Sequence, residues 1–175
     1  MSIEFTEAEG RGIQRRFICK ELFLYLAVAL LLISLAVFLF VMVNEYFKTQ
    51  RDQERSTEVA VIMDAFARYQ KDHDGIFPEG IDDDFSTVQV LGKAKANCDG
   101  VCPAFASNYF CFDAHPVLVP EYLTEIPVDP KLPAPASVVG DEAFLSGYYV
   151  NKTISGQLMV GSCFAEKERS ILVVE

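Results

Sequence analysis

The sequence predicts an α+β protein in which one long N-terminal helix packs its outer half on a small antiparallel β-sheet. Three observations carry that expectation. The first is an uncharged apolar run, Leu22 to Val43, broken only by Ser34. As a helix its 22 residues cover roughly 33 Å at ~1.5 Å per residue, about the hydrocarbon thickness of a bilayer. The second is an apolar stripe, Val59, Ile62, Met63, Phe66 and Tyr69, whose offsets of three and four mark one helix face. The third is a set of short β-prone segments in the second half, separated by Gly, Pro, Asn and Asp.

The elements follow in chain order. Residues 1–16 read as a basic leader, with Arg11, Arg15 and Arg16 close to the apolar run and Lys20 at its edge. The far flank mixes Lys48, Arg51 and Arg55 with Glu45, Asp52 and Glu54. Lys and Arg accumulate on the cytoplasmic side of a span, so the expected N-terminus is cytoplasmic. Residues 17–43 are the expected single transmembrane helix and 44–175 the extracytoplasmic domain. A cleaved secretory signal has a core of about 7–15 apolar residues and a small-residue cut site. This run is longer, and Val41-Met42-Val43-Asn44-Glu45 offers no such site.

Residues 44–56 contain no Gly or Pro and should continue the helix as a polar segment. The Val59–Tyr69 stripe extends it to about Asp72, where Asp74-Gly75 and Pro78 supply the stop. One helix from about Phe17 to about Asp72 is expected. Residues 73–175 should then be loops and a small sheet. Phe85–Leu91 and Tyr109–Phe112 are candidate strands, and Val119–Leu123 a single helical turn opened by Pro120. Pro127 and Pro130 exclude regular structure around Asp129. Gly147–Val150 and Gln157–Val160 should pair as a hairpin across Asn151–Gly156, with Ser170–Val174 a further strand.

Charge and chemistry narrow the function. Residues 44–175 hold 11 basic and 21 acidic side chains and so carry the whole net charge of −10. An acidic domain repels nucleic acid and anionic lipid, so no direct nucleic-acid partner is expected. Four cysteines, Cys98, Cys102, Cys111 and Cys163, lie in the extracytoplasmic part, and Cys19 lies at the inner edge of the span. Two disulfides are expected, with three connectivities open. Cys98-x3-Cys102 resembles half of a zinc site, with Cys111 and His115 nearby, but such a site needs three or four ligands and no metal is expected. Asp82-Asp83-Asp84 reads as a solvated acidic loop rather than a calcium site, because three adjacent carboxylates point apart. Asn151-Lys152-Thr153 is a glycosylation sequon by pattern. No Ser/His/Asp arrangement, phosphate loop or His pair at ligand spacing occurs, so neither an enzyme nor a cofactor is expected.

These segments, in this order, resemble a known family. Phe17 followed by Glu21 opens a hydrophobic helix that runs on into an amphipathic one. Ala65 through Pro78, Leu118 through Pro130, Gly147–Val150 and Ser162–Glu168 match further segments in order. The chain resembles type IV pilins and the pseudopilins of type II secretion. That resemblance implies a pilin-like fold and a structural subunit, major or minor, of a pilus-like or secretion-like filament. Assembly would run through the hydrophobic helix, with Phe17 as first mature residue and Glu21 its assembly carboxylate. The implied partners are other pilin-like subunits, the inner-membrane assembly machinery and membrane lipid. The implied location is the bacterial inner membrane and a cell-surface filament. The processing site would lie between Arg16 and Phe17, where the family carries Gly in place of Arg16. The alternative is an uncleaved, single-pass anchored ectodomain that binds a partner or ligand outside.

Overall fold

Residues Glu7–Asp72 form one 66-residue helix, α1, in the computed structural model. The structure describes residues 7–92, 98, 102, 110–132, 145–167 and 170–175; for 7–21 and for Phe110 it describes the backbone alone. The helix begins earlier than the expected start near Phe17. Glu7, Ala8, Glu9, Arg11, Gln14 and Arg15 are good helix formers, and Gly10 and Gly12 each cost only ~1 kcal/mol. The helix ends where expected. Asp74 and Gly75 take left-handed backbone, φ 56° and 80°, and the Gly75 N–H donates to Gln70 O at 2.7 Å.

The chain divides into two units, Met1–Phe47 and Lys48–Glu175. In the second unit the last turns of α1 pack on a five-stranded sheet. The remaining elements are β1 (Gln89–Gly92), β2 (Phe110–Phe112), α2 (His115–Leu118), β3 (Leu145–Lys152), β4 (Leu158–Ser162) and β5 (Leu172–Val174). The strand order is β2-β1-β3-β4-β5. The sheet is mixed, which corrects the antiparallel expectation. β1 and β2 run parallel, with Val90 opposite Cys111, while the other three pairings are antiparallel. The physical reason is connection length. β3 and β4 join through the tight Thr153–Gln157 turn, with Gly156 at φ 81°, which forces antiparallel pairing. Residues 93–109 separate β1 from β2, and a connection of that length allows the chain to return in the same direction.

Strand positions also shift from expectation. Phe85–Val88 is turn rather than strand, because the Asp84 carboxylate accepts from both Ser86 N–H and Ser86 Oγ. The helical element expected over Val119–Leu123 lies just upstream as α2. Pro116 sits in its first turn, and Asp113 Oδ1 accepts from His115 N–H. Val119–Pro120 is cis.

Alternation along the strands makes two cores. On the helix side, Val59, Ile62, Met63, Ala65 and Phe66 of α1 are buried against Leu91, Phe112, Leu118, Tyr148, Val150, Leu158, Val160 and Ile171. Phe66 meets the Phe112 ring at 6.1 Å between centroids, and Tyr69 meets Tyr122 at 5.6 Å. On the other side Val88, Val90 and Tyr149 pack with Cys98, Cys102 and Cys163. The small sheet thus packs on α1 with one face and with Cys98, Cys102 and Cys163 on the other.

Candidate functional site

In the first unit the whole stretch from Leu22 to Val43 is solvent-exposed, and Phe23 and Phe40 are each 74% exposed. The helix is long and apolar enough to cross a membrane. Ser34 places its hydroxyl on Leu31 O at 2.8 Å, so its one polar group bonds within the helix. A core helix of a globular protein would be buried; this one is bare on every side. Arg16, Phe17, Cys19 and Glu21 all lie on the α1 backbone, and Phe17 and Glu21 fall one turn apart on one helix face. Their side chains lie outside the described residues.

In the second unit α1 carries a charged cluster that the sequence reading missed. Arg55 is fully buried. Its Nε and Nη2 donate to both oxygens of Asp129 at 2.7 and 3.0 Å. Its Nη1 donates to Asp52 at 2.7 Å and to Glu166 at 3.1 Å. Arg51 grips the same Glu166 carboxylate with Nε and Nη2 at 2.6 and 3.0 Å, and Lys131 reaches it at 3.4 Å. The backbone N–H groups of Glu166 and Lys167 donate to Asp52. Three cations therefore meet three carboxylates. The cluster ties α1 to the proline-rich Asp129 segment and to the chain just after β4. Gly147, at φ 80°, leaves the space Asp129 needs; a Cβ there would stand 2.7 Å from that of Asp129.

The environment sets the ionisation of these groups. The Arg51 hydrogen bonds hold Glu166 down to about 2, against the opposing effect of burial. Burial pushes the Asp52 carboxyl upward, but the N–H groups of Lys167 and Glu166 and the Arg55 guanidinium outweigh it and leave it below its ordinary value. Burial works against the Arg55 cation, and its three carboxylate partners overcome that and raise it. Beside the cluster, burial raises Glu58, although Tyr148 Oη donates to it. Burial and that same hydrogen bond raise Tyr148. Each charge of the cluster has its partner, and the pairs fasten α1 to the Asp129 segment and to Glu166.

The structure brings Cys98 to Cys111 and Cys102 to Cys163, at disulfide Cα–Cα distances of 5.6 and 4.5 Å. That selects one of the three connectivities and accounts for all four candidate cysteines as cross-links. Among the described residues no group of three or more His, Cys, Asp or Glu side chains is placed to hold a metal ion. His73 stacks on Tyr69 at 4.0 Å, and His115 is exposed at the start of α2. Asp82 caps the Asp84 N–H, Asp83 pairs with Lys152, and Asp84 holds Ser86, so the acidic triplet is used in local turns. Asn151 is buried and donates to Phe85 O, which leaves no room for a glycan.

The signal for the charged cluster was present. Asp52 and Arg55 continue the spacing of the Val59, Ile62, Phe66 stripe towards the N-terminus. Buried helix positions occupied by opposite charges three apart mark a salt-bridged extension of the core face. Comparison with family models, with curated proteins and with solved structures finds no match to this chain.

Proposed function

We propose that this chain is a pilin-like structural subunit, single-pass in the bacterial inner membrane, that assembles through its N-terminal hydrophobic helix. One observation carries the reading: the 22–43 segment of α1 exposes apolar side chains around its whole circumference. Such a surface requires lipid, other helices, or both. The remainder of the chain supports it: the same helix, past Lys48, fastens to a small cysteine-linked sheet. In this reading the acidic sheet domain lies outside the membrane. Its partners are other pilin-like subunits and the assembly machinery of a pilus-like or secretion-like filament.

Glu21 supplies the test. Glu21 directly precedes the apolar run in the sequence, and an ionised carboxylate among packed helices needs a partner. Glu21→Ala should leave the chain in the membrane, since removing a charge eases insertion. Crosslinking in membranes should then give a weaker ladder of oligomers than the unmodified chain. Equal ladders, or none in either, would contradict assembly through this helix.

Arg16 favours a second reading, in which the leader is retained and the chain is a permanently anchored ectodomain that binds a partner outside. Intact mass of the protein recovered from membranes separates the two. A chain beginning at Phe17 supports the subunit; a retained leader supports the anchor.

A further inference from the structure

We infer that the free edge of β5 is a docking site for an extended, net-basic segment of a partner protein, added to the sheet as a sixth strand. The register of β4 and β5 determines which backbone groups are free. Leu158 and Glu175 exchange both hydrogen bonds at 3.0 Å, and Ser162 N–H donates to Ile171 O at 2.9 Å. Alternation then turns Ile171, Val173 and Glu175 towards β4. Leu172 and Val174 direct their N–H and C=O groups away from it, and β5 is the last strand of the sheet order. Among the described residues no further strand lies beyond β5, so two donors and two acceptors stand at strand spacing along this edge.

Natural edges are usually protected by Lys, Pro, a bulge or a covering loop. Here the edge reads Leu172-Val173-Val174, and all three side chains are 36–43% exposed. A second feature adjoins it. A crevice of about 340 Å³ lies between α1 and the chain entering β5, lined by Thr49, Asp52, Gln53, Ser56, Lys167 and Ile171. The Asp52 oxygens are already engaged by Arg55 and two backbone N–H groups. The Gln53 amide and the Ser56 hydroxyl are suited to one hydrogen-bonding side chain from an added strand. Main-chain pairing provides the affinity in strand addition, and such side-chain pockets provide the specificity.

Charge selects the occupant. Residues 44–175 carry the entire net charge of −10, so two copies meeting at this edge repel, whereas a basic strand is attracted. The proposal is independent of filament assembly, because it concerns the sheet domain and not the apolar helix.

The test uses the full chain in detergent micelles and a fluorescent, lysine-flanked heptapeptide of alternating valine and threonine. Fluorescence anisotropy should show binding that weakens about tenfold in Val174→Pro, because proline removes an outward donor and leaves the β4 pairings intact. Leu172→Pro should do the same by the same route. The glutamate-flanked peptide should bind more weakly than the lysine-flanked one. Peptide should also slow hydrogen exchange at the Leu172 and Val174 amides, a readout that needs no variant. Equal binding by the unmodified chain and both proline variants, with no protection of these amides, would overturn the proposal. So would association of copies through this edge without peptide, abolished by the same proline changes.

Discussion

Arg55 and Asp129 stand 74 residues apart in the chain and face each other as a two-pronged ion pair, fully buried, at 2.7 and 3.0 Å. The pair joins α1 to a segment that has no regular structure of its own. Removing one partner of such a pair leaves an uncompensated charge in the interior. Arg55→Met should therefore cost about 3–5 kcal/mol. Replacing Asp129 by Asn in the same chain should recover part of that loss, because the stranded carboxylate is gone. Thermal unfolding of the single and double variants measures both. Additive losses would show that the two side chains do not act as a pair.

The same cluster predicts an acid limb in stability. Glu166 sits at about 2 in the folded chain against an ordinary 4.5, and Asp52 is also lowered. Groups lowered by folding stabilise at pH above their unfolded values, and that contribution is lost as pH falls through the folded ones. Stability should therefore decline from pH 4.5 towards 2. Glu58 acts in the opposite direction. Its carboxyl is raised, so its ionised form costs stability at neutral pH and mild acidification relieves that cost. Stability should rise slightly on leaving neutrality before it falls. Glu58→Gln should abolish the rise and keep the decline, as denaturant melts across pH would show.

Phe66 is fully buried beside Phe112. Phe66→Ala should cost about 3–5 kcal/mol, a large share of the ~5–15 kcal/mol that holds a domain folded. An unchanged melting temperature would mean that this helix face carries no weight in the packing.

Cysteine pairing gives a chemical prediction. Non-reducing peptide mapping should recover Cys98 with Cys111 and Cys102 with Cys163, with only Cys19 open to thiol labelling after denaturation. Reduction should destabilise the domain by about 2–5 kcal/mol. Labelling of two or more of the four cysteines before reduction would contradict the pairing.

Much of this architecture was legible in the sequence, for identifiable reasons. The Val59–Phe66 stripe repeats at helical spacing over several turns, so it specified both the helix and its buried face. Gly75 and Pro78 marked the helix end, and Gly156 the hairpin. What stayed hidden depends on distant partners. The stripe spacing places Arg55 on the buried helix face and Arg51 off it, but nothing local names Asp129 or Glu166 as the distant carboxylates that receive the buried guanidinium. The parallel β1–β2 pairing likewise depends on a connection whose path local sequence does not specify. Phe85 to Val88 is β-prone by composition, but the Asp84 carboxylate captures Ser86 first.

The central claim, that copies of this chain meet through the bare apolar helix, is tested most directly inside the membrane. A photo-crosslinking residue at Leu31, mid-way along the exposed run, should on irradiation of intact membranes give dimers and a ladder of higher oligomers. The same residue at the exposed Ile154 of the β3–β4 turn serves as the comparison and should give less. A Leu31 probe that yields only monomer or lipid adducts would contradict the account.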